Sequence, residues 1–590
     1  PDVEEAAILM RALRDFNTPK IVQQDTVVFF GLLKDLFPGL NPPRKLNDNL
    51  ESAVRKACAA RQMNPDEEFC LKIVQLEELL AIRHCVMVMG PPGAGKTECW
   101  KTLAASRKKM GQPTKLTDLN PKAISPEELY GFVSLQTREW KDGVLSRMMR
   151  ELGLEDPTED KWIMLDGDLD ANWIESMNSV MDDNKMLTLA SNERVPLKAN
   201  MRMIFEIRDL VYATPATVSR AGILYISTDK GQQWKSLAES WVQRRDSQGL
   251  ISDLQGNAIR GHFAKYIAPC LKWLKINAKP LVQLEDINMV QTLLNMLDGL
   301  YNGEMKEMID ASGGSDEDEE QLSIQLEPSF VFCCIWAFGS CLSTKDGEDY
   351  RKIFSDYWKS TWREVKVPSR ETVFDYYLNP KSNQFDPWKE SPFFGPIKYD
   401  PETPMSTITV PTPETASIFH WTGMLAGSAS PIMLVGNAGC GKTQLVQGLL
   451  AKQNIDQKVS LTVNFNFYTN ADLLKRTLEG PLEKKTGTTY APKGQAGIIY
   501  FLDDLNLPEV DEYNTQSAIS LVRQHLDYNH WYDMTKITCR TIDRAQFISC
   551  MNHTAGCFEI NPRLQRHFAP FALGFPGPTS LLTIYQTFLD

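Results

Sequence analysis

The feature that most constrains this chain is a glycine-rich pattern that occurs twice, each time between an apolar run and a helix-forming stretch. Val86-Met87-Val88-Met89 leads into Gly90-Pro91-Pro92-Gly93-Ala94-Gly95-Lys96-Thr97, and Ile432-Met433-Leu434-Val435 leads into Gly436-Asn437-Ala438-Gly439-Cys440-Gly441-Lys442-Thr443. A turn of this kind, closing a strand and opening a helix, turns backbone N–H groups and the helix N-terminus toward phosphate oxygens. Each copy is followed by an apolar strand ending in acid, Trp162-Ile163-Met164-Leu165-Asp166 and Ile498-Ile499-Tyr500-Phe501-Leu502-Asp503. A third strand comes next in each, Met203-Ile204-Phe205 and Phe547-Ile548-Ser549-Cys550, and later an arginine, Arg220 or Arg566. An ordered repeat of this length predicts an α/β fold of tandem P-loop modules, each a parallel sheet flanked by helices.

A chain of 590 residues exceeds one hydrophobic core, and 43% apolar with 23% charged residues is the composition of globular domains. The net charge of −12 argues against a nucleic-acid partner, whose binding face would carry a basic field. No run reaches the roughly 18 uninterrupted apolar residues of a membrane-spanning helix, so no membrane partner is expected. The cysteines lack CxxC or zinc spacing and read as reduced, buried thiols. The acidic start Pro1-Asp2-Val3-Glu4-Glu5 has neither Met nor a leader pattern, as expected of an internal piece of a longer protein.

Lys96 and Lys442 are expected to reach the β- and γ-phosphates of ATP or ADP. Thr97 and Thr443 would ligate Mg²⁺ through their hydroxyls, with Asp166 and Asp503 holding the ion from the other side. Hydrolysis also needs a group that orients the attacking water. In AAA+ ATPases this is usually a Glu directly after the strand-end Asp; here the first copy has Gly167 and the second Asp504. Counting back equally from Arg220 and Arg566 pairs Glu206 with Asn552 as the polar group of the third strand. Glu206 would set a negative charge near the γ-phosphate, whereas Asn552 is a neutral amide able to bond water and phosphate. The first site is therefore expected to bind without appreciable hydrolysis, and the second to hydrolyse slowly. Arg220 and Arg566 are candidates for the arginine that one module lends to its neighbour's γ-phosphate.

The expected organisation is the end of a preceding module with its linker over 1–40, a large α/β subdomain over 41–229, a helical lid over 230–390, and a second large subdomain over 391–590 without its lid. Within the lid, Ser312-Gly313-Gly314-Ser315-Asp316-Glu317-Asp318-Glu319-Glu320 predicts an acidic loop over 312–321. The Pro-rich stretch from Pro392 to Pro413 marks entry to the second module.

Runs such as Arg523-Gln524-His525, His530-Trp531-Tyr532-Asp533 and Leu129-Tyr130-Gly131 are finer landmarks that resemble the dynein heavy chains, most closely the axonemal outer-arm β type. Asp503-Asp504-Leu505-Asn506-Leu507-Pro508, Arg523-Gln524-His525, His530-Trp531-Tyr532-Asp533 and Asn561-Pro562-Arg563-Leu564-Gln565-Arg566 are similar to the third AAA+ unit of that family. Asn120-Pro121-Lys122-Ala123, Leu129-Tyr130-Gly131 and Thr214-Pro215-Ala216-Thr217-Val218-Ser219-Arg220 resemble the second, and Met10-Arg11-Ala12-Leu13-Arg14-Asp15-Phe16-Asn17 the end of the first. The resemblance implies a ring of AAA+ modules in one chain that moves along microtubules in the axoneme of a cilium or flagellum, alongside other dynein heavy, intermediate and light chains. It implies a structural second unit and a regulatory third, and it adds Val74, Glu98, Val410 and Gln444 to the nucleotide-binding set. The alternatives are a midasin-like ring that remodels ribosome precursors and a nucleotide-gated scaffold.

Overall fold

The computed structural model describes residues 5–44, 47–311, 319–395, 397, 402, 408–453, 457–494, 496–553 and 558–589. The chain divides into two compact units, Pro1–Ser236 with Asp511–Arg540, and Leu237–Val510 with Thr541–Asp590. The units do not follow sequence order, because one segment of the second repeat belongs to the first unit.

The first unit is built on strands β1 (Cys85–Met89), β2 (Thr114–Leu119), β3 (Asp160–Asp166), β4 (Met201–Ile207) and β5 (Gly222–Tyr225), in the order β2-β3-β4-β1-β5. All of their pairings are parallel. A parallel sheet is covered on both faces, which is why its central strands are unbroken apolar runs rather than alternating ones. Successive side chains point to opposite faces. Val86, Val88, Trp162, Met164, Ile204 and Leu224 pack with Ile73, Leu76, Leu80, Trp100 and Leu103 on one face. Met87, Ile163, Leu165, Met203 and Phe205 pack with Leu145, Met149, Trp173 and Val180 on the other.

The second unit repeats this plan with β6 (Ile432–Gly436), β7 (Lys458–Asn464), β8 (Gly497–Asp503), β9 (Ala545–Met551) and β10 (Ala569–Leu573), ordered β7-β8-β9-β6-β10 and again parallel. The expected tandem α/β modules are thus present as two sheets of identical strand order.

The same unit holds the helices Asp253–Asn277, Asp286–Asn302, Glu319–Gly339 and Tyr350–Thr361. Residues in or next to the last three are tied to β10 and the residues just ahead of it by polar contacts: Asn288 Nδ2 donates to the carbonyls of Arg566 (2.9 Å) and Phe568 (3.0 Å), Ser340 Oγ to that of Pro570, and Arg351 to that of Ala572. The acidic loop is shorter at its far end than expected, since Glu319 and Glu320 already form the first turn of a helix; residues 312–318 lie outside the described residues. Two carboxylates at a helix N-terminus offset its macrodipole, which favours helix there over loop. The helix Glu319–Gly339 holds no uninterrupted apolar run of membrane-spanning length, yet by overall length and composition it is long and apolar enough to cross a membrane. It is 72% buried inside the protein over its most apolar window, the position of a core helix.

Residues 511–540 carry the helix Ser517–Tyr528 and the strand His530–Asp533. They grip the edge strand β2: His530 Nε2 lies 2.6 Å from Asp118 Oδ2, and the Tyr532 hydroxyl donates to the Asp118 carbonyl at 2.7 Å. Burial alone would lower the His530 pKa, but the Asp118 carboxylate and the neighbouring Cys539 outweigh it and raise it to about 10. A raised basic group stabilises fully below its unfolded pKa of about 6.5 and loses that contribution as pH climbs through the folded value. His530→Gln is therefore expected to destabilise the first unit by about 1.5–3 kcal/mol at pH 6 and by progressively less toward pH 10. Paired thermal-unfolding scans of wild type and variant across this range check it; a pH-independent difference would contradict the ion pair.

Candidate functional site

Both glycine-rich turns close a central strand and open a helix. Lys96–Lys109 follows Gly95, and Lys442–Ala451 follows Gly441; both glycines are left-handed (φ 94° and 90°), and neither helix has a side-chain cap. No capping side chain therefore competes for the first-turn amides of either helix, which is the fit a phosphate chain requires. The turns also need the absence of side chains. A Cβ on Gly90 would lie 2.3 Å from the Ile226 carbonyl oxygen, and one on Gly436 would lie 2.4 Å from that of Leu573. The lysines lie across their own loops: Lys96 Nζ donates to the carbonyls of Gly90 and Pro91 at 2.9 Å each, and Lys442 Nζ to those of Gly436 and Asn437 at 2.8 Å each.

The remaining members of the expected nucleotide set sit around these loops. Val74 is buried on the helix Glu67–Ile82, and Val410 is buried just ahead of the helix Pro413–Gly427. Glu98 pairs with Arg61, and Gln444 Nε2 donates to the Ile408 carbonyl. Arg220 ends the helix Pro215–Arg220 and pairs with Asp182. Arg566 closes the turn Pro562–Gln565, next to the largely buried Arg563.

The two sites differ beyond the loop. In the second, the Thr443 hydroxyl donates to Asp503 Oδ2 at 2.9 Å, so the two residues expected to hold Mg²⁺ face each other. Burial is the largest influence on Asp503 and raises its pKa, with Asp504 adding repulsion and Thr443 opposing. Asp504 is solvent-exposed and left-handed (φ 55°), its own amide donating to Asp503 Oδ1. A carboxylate thus stands directly after the strand-end Asp, at the position expected from the sequence to orient water.

In the first site the Thr97 hydroxyl donates instead to Glu206, at 2.9 Å from each carboxylate oxygen, and Trp100 Nε1 adds a bond of 3.1 Å. Asp166 is engaged from the other side: Arg523 donates to its Oδ1 at 2.9 Å and to its carbonyl at 2.6 Å, and the Tyr528 hydroxyl to Oδ2 at 2.7 Å. Burial, then the charges of Asp166 and Glu206, hold the Tyr528 pKa well above its ordinary value, so the phenol remains a donor.

Strand register corrects the pairing of Glu206 with Asn552. Val88 lies opposite Glu206, whereas the corresponding Leu434 lies opposite Cys550. The connection from the third strand to the arginine differs in length, so counting back from Arg220 and Arg566 lands on non-equivalent positions. Glu206 instead neighbours Asp166 directly in the sheet. Asn552 follows the end of β9, where its carbonyl accepts from Asn506.

Gly167 is closed by its surroundings. A Cβ there would lie 2.9 Å from Cγ and Cδ of Pro121 and 3.0 Å from Asn120 Oδ1, and Asn120 is itself anchored by donating to the Ser520 carbonyl. No carboxylate fits at this position without displacing a rigid ring. Arg523, Tyr528 and Trp100 are site residues to which the sequence reading assigned no role. Their partners lie hundreds of positions away, or on another strand, and no local pattern signals them.

Four family models match this chain: the P-loop containing dynein motor region over 397–576, the dynein heavy chain AAA lid domain over 259–390, the hydrolytic ATP binding site of dynein motor region over 1–97, and the AAA domain of the dynein-related subfamily over 85–221. Among curated relatives, the chain is 47% identical to the dynein alpha chain of the flagellar outer arm of Chlamydomonas reinhardtii over 99% of its length. It is 45% identical over its full length both to human dynein axonemal heavy chain 9 and to the ciliary dynein beta chain of Tripneustes gratilla. The chain spans 13% of the length of each of these relatives.

Replacing Gly167 with Ala is expected to destabilise the first unit by about 1–3 kcal/mol through overpacking against Pro121. Chemical denaturation of the variant checks this, and a neutral effect would mean that Pro121 yields.

Proposed function

This chain belongs to the dynein heavy chain family, and from that premise we propose that it is the stretch of an axonemal motor ring holding its second and third AAA+ units. The ring would work on microtubules in the axoneme of a cilium or flagellum, beside other dynein heavy, intermediate and light chains. Identity of 44–47% to outer-arm, ciliary and axonemal chains supports that setting. The finer assignment to the β type rests on the motifs quoted above. In this reading the divisions at 40, 229 and 390 separate the end of the first unit, the second unit, its lid and the third unit.

The first loop then holds ATP as a latch, and the second hydrolyses ATP slowly to ADP as a regulatory site. The observation that carries this is the contrast between Gly167, walled in by Pro121, and the exposed carboxylate of Asp504. Orienting the attacking water is the step a P-loop site cannot omit, and of the two sites the second alone has a carboxylate on the residue directly after the strand-end Asp. Thr443 and Asp503 would hold Mg²⁺ at the second site, and the ion when bound would draw charge from the transferring phosphate. Asn552 is assigned to positioning of water and phosphate; Arg220 and Arg566 are assigned to charge lent to a neighbouring module. Matches to dynein models and dynein relatives stand against the midasin-like alternative. A pure scaffold does not account for Asp504.

The test uses the full-length motor. After incubation with ATP and removal of free nucleotide, peptide-resolved labelling with 8-azido-ATP analogues reports what each loop retains. Triphosphate at the first loop, and diphosphate accumulating at the second unless Asp504 is changed to Ala, is the expected result. Diphosphate at the first loop would overturn the reading.

A further inference from the structure

We propose that the first site holds its divalent cation with Thr97 and Glu206, and that Asp166, the strand-end acid expected to do so, serves instead as the docking acceptor for Arg523 and Tyr528. The proposal deepens the nucleotide-latch reading of the first loop and rests on it.

The first site contains an electrostatic conflict. Asp166 and Glu206 are register partners on adjacent parallel strands, both almost fully buried and both on the sheet face covered by the helix Lys96–Lys109. Two carboxylates at neighbouring strand positions cannot both remain ionised in a low-dielectric environment without compensating charge. Arg523 supplies one compensation, and it goes to Asp166: a bond to Oδ1, a second to the carbonyl, and the Tyr528 hydroxyl on Oδ2. Arg523 is 7% exposed and is flanked by Asp527 at 3.5 Å, which fixes its direction. A guanidinium bound in this way takes the electrostatic place that a metal ion has beside such an acid.

Glu206 is directed differently. Both of its oxygens lie within hydrogen-bond distance of the Thr97 hydroxyl, the group that ligates the metal in a P-loop. In the second site the equivalent hydroxyl, Thr443, makes this bond to the strand-end Asp503, while the strand position equivalent to Glu206 is Cys550, which has no charge to offer. The same donor thus finds its acid on the third strand in one site and on the second strand in the other. Trp100 Nε1 holds Glu206 in this orientation. Because Arg523 and Tyr528 belong in sequence to the second repeat, the carboxylate partition at the first site depends on residues 511–540. Arg523 and Tyr528 are positioning residues, acting through Asp166.

The experiment uses the full-length motor, with 8-azido-ATP at saturation and Mn²⁺ as the metal probe, and reads the label on peptides bordering the first loop as free Mn²⁺ is varied. Glu206→Gln is expected to raise the Mn²⁺ concentration for half-maximal labelling at least tenfold, with full labelling recovered at high Mn²⁺. Asp166→Asn is expected to shift that midpoint less than about threefold. A merely structural role for Glu206 would instead lower labelling at every metal concentration. If Glu206→Gln does not fold, Glu206→Asp keeps the charge one methylene shorter and is expected to shift the midpoint severalfold in the same direction. A midpoint that follows Asp166, or that follows neither residue, overturns the assignment. Wild-type protein with no label at the first loop would contradict the latch reading itself, which separates the two failures.

Discussion

Asp166 and Glu206 stand side by side on β3 and β4, and most of what distinguishes the first site follows from how that pair is neutralised. A buried carboxylate without a partner costs several kcal/mol, and two adjacent ones cost more. The fold meets the requirement from both ends. Thr97 and Trp100, on the helix after the glycine-rich turn, face Glu206, and Arg523 and Tyr528, on the helix Ser517–Tyr528, face Asp166. That second helix is fixed in turn by His530 and Tyr532 on Asp118, and its Ser520 carbonyl anchors the Asn120 side chain that walls in Gly167. The contacts that engage the acid pair and those that wall in Gly167 therefore belong to one connected network.

The second site has the same strand order and the same loop conformation without that network. Its third strand carries Cys550 where the first has Glu206, so Thr443 bonds Asp503, and Asp504 projects into solvent. Two sheets of identical topology thus hold different chemistry, because one strand position and one residue after a strand end differ. In the function proposed above, this is how a repeated scaffold would support one site that retains nucleotide and another that turns it over.

Much of this plan was legible in the sequence. The paired loops, the acid-ended strands and the helical segment between them are local patterns, and local patterns survive folding. Gly167 and Asp504 could be singled out because their meaning depends only on the residue before them. Three things could not be read. The equivalence of Glu206 and Asn552, inferred by counting back from an arginine, failed because connection length is free to vary while strand register is not. The roles of Arg523 and Tyr528 were hidden because their partner is Asp166, on the other side of a large sequence gap. Glu319 and Glu320 read as a continuation of an acidic loop, yet they begin the helix that carries Phe332, Cys333, Cys334 and Trp336 into the core.

The most direct test of this account is a high-resolution structure of the full-length chain held in Mg²⁺ and ATP. It should show intact ATP at the first loop, with the ion beside Thr97 and Glu206 while Arg523 remains on Asp166. An ion bound beside Asp166, with Arg523 displaced, would contradict the division of labour between the two acids.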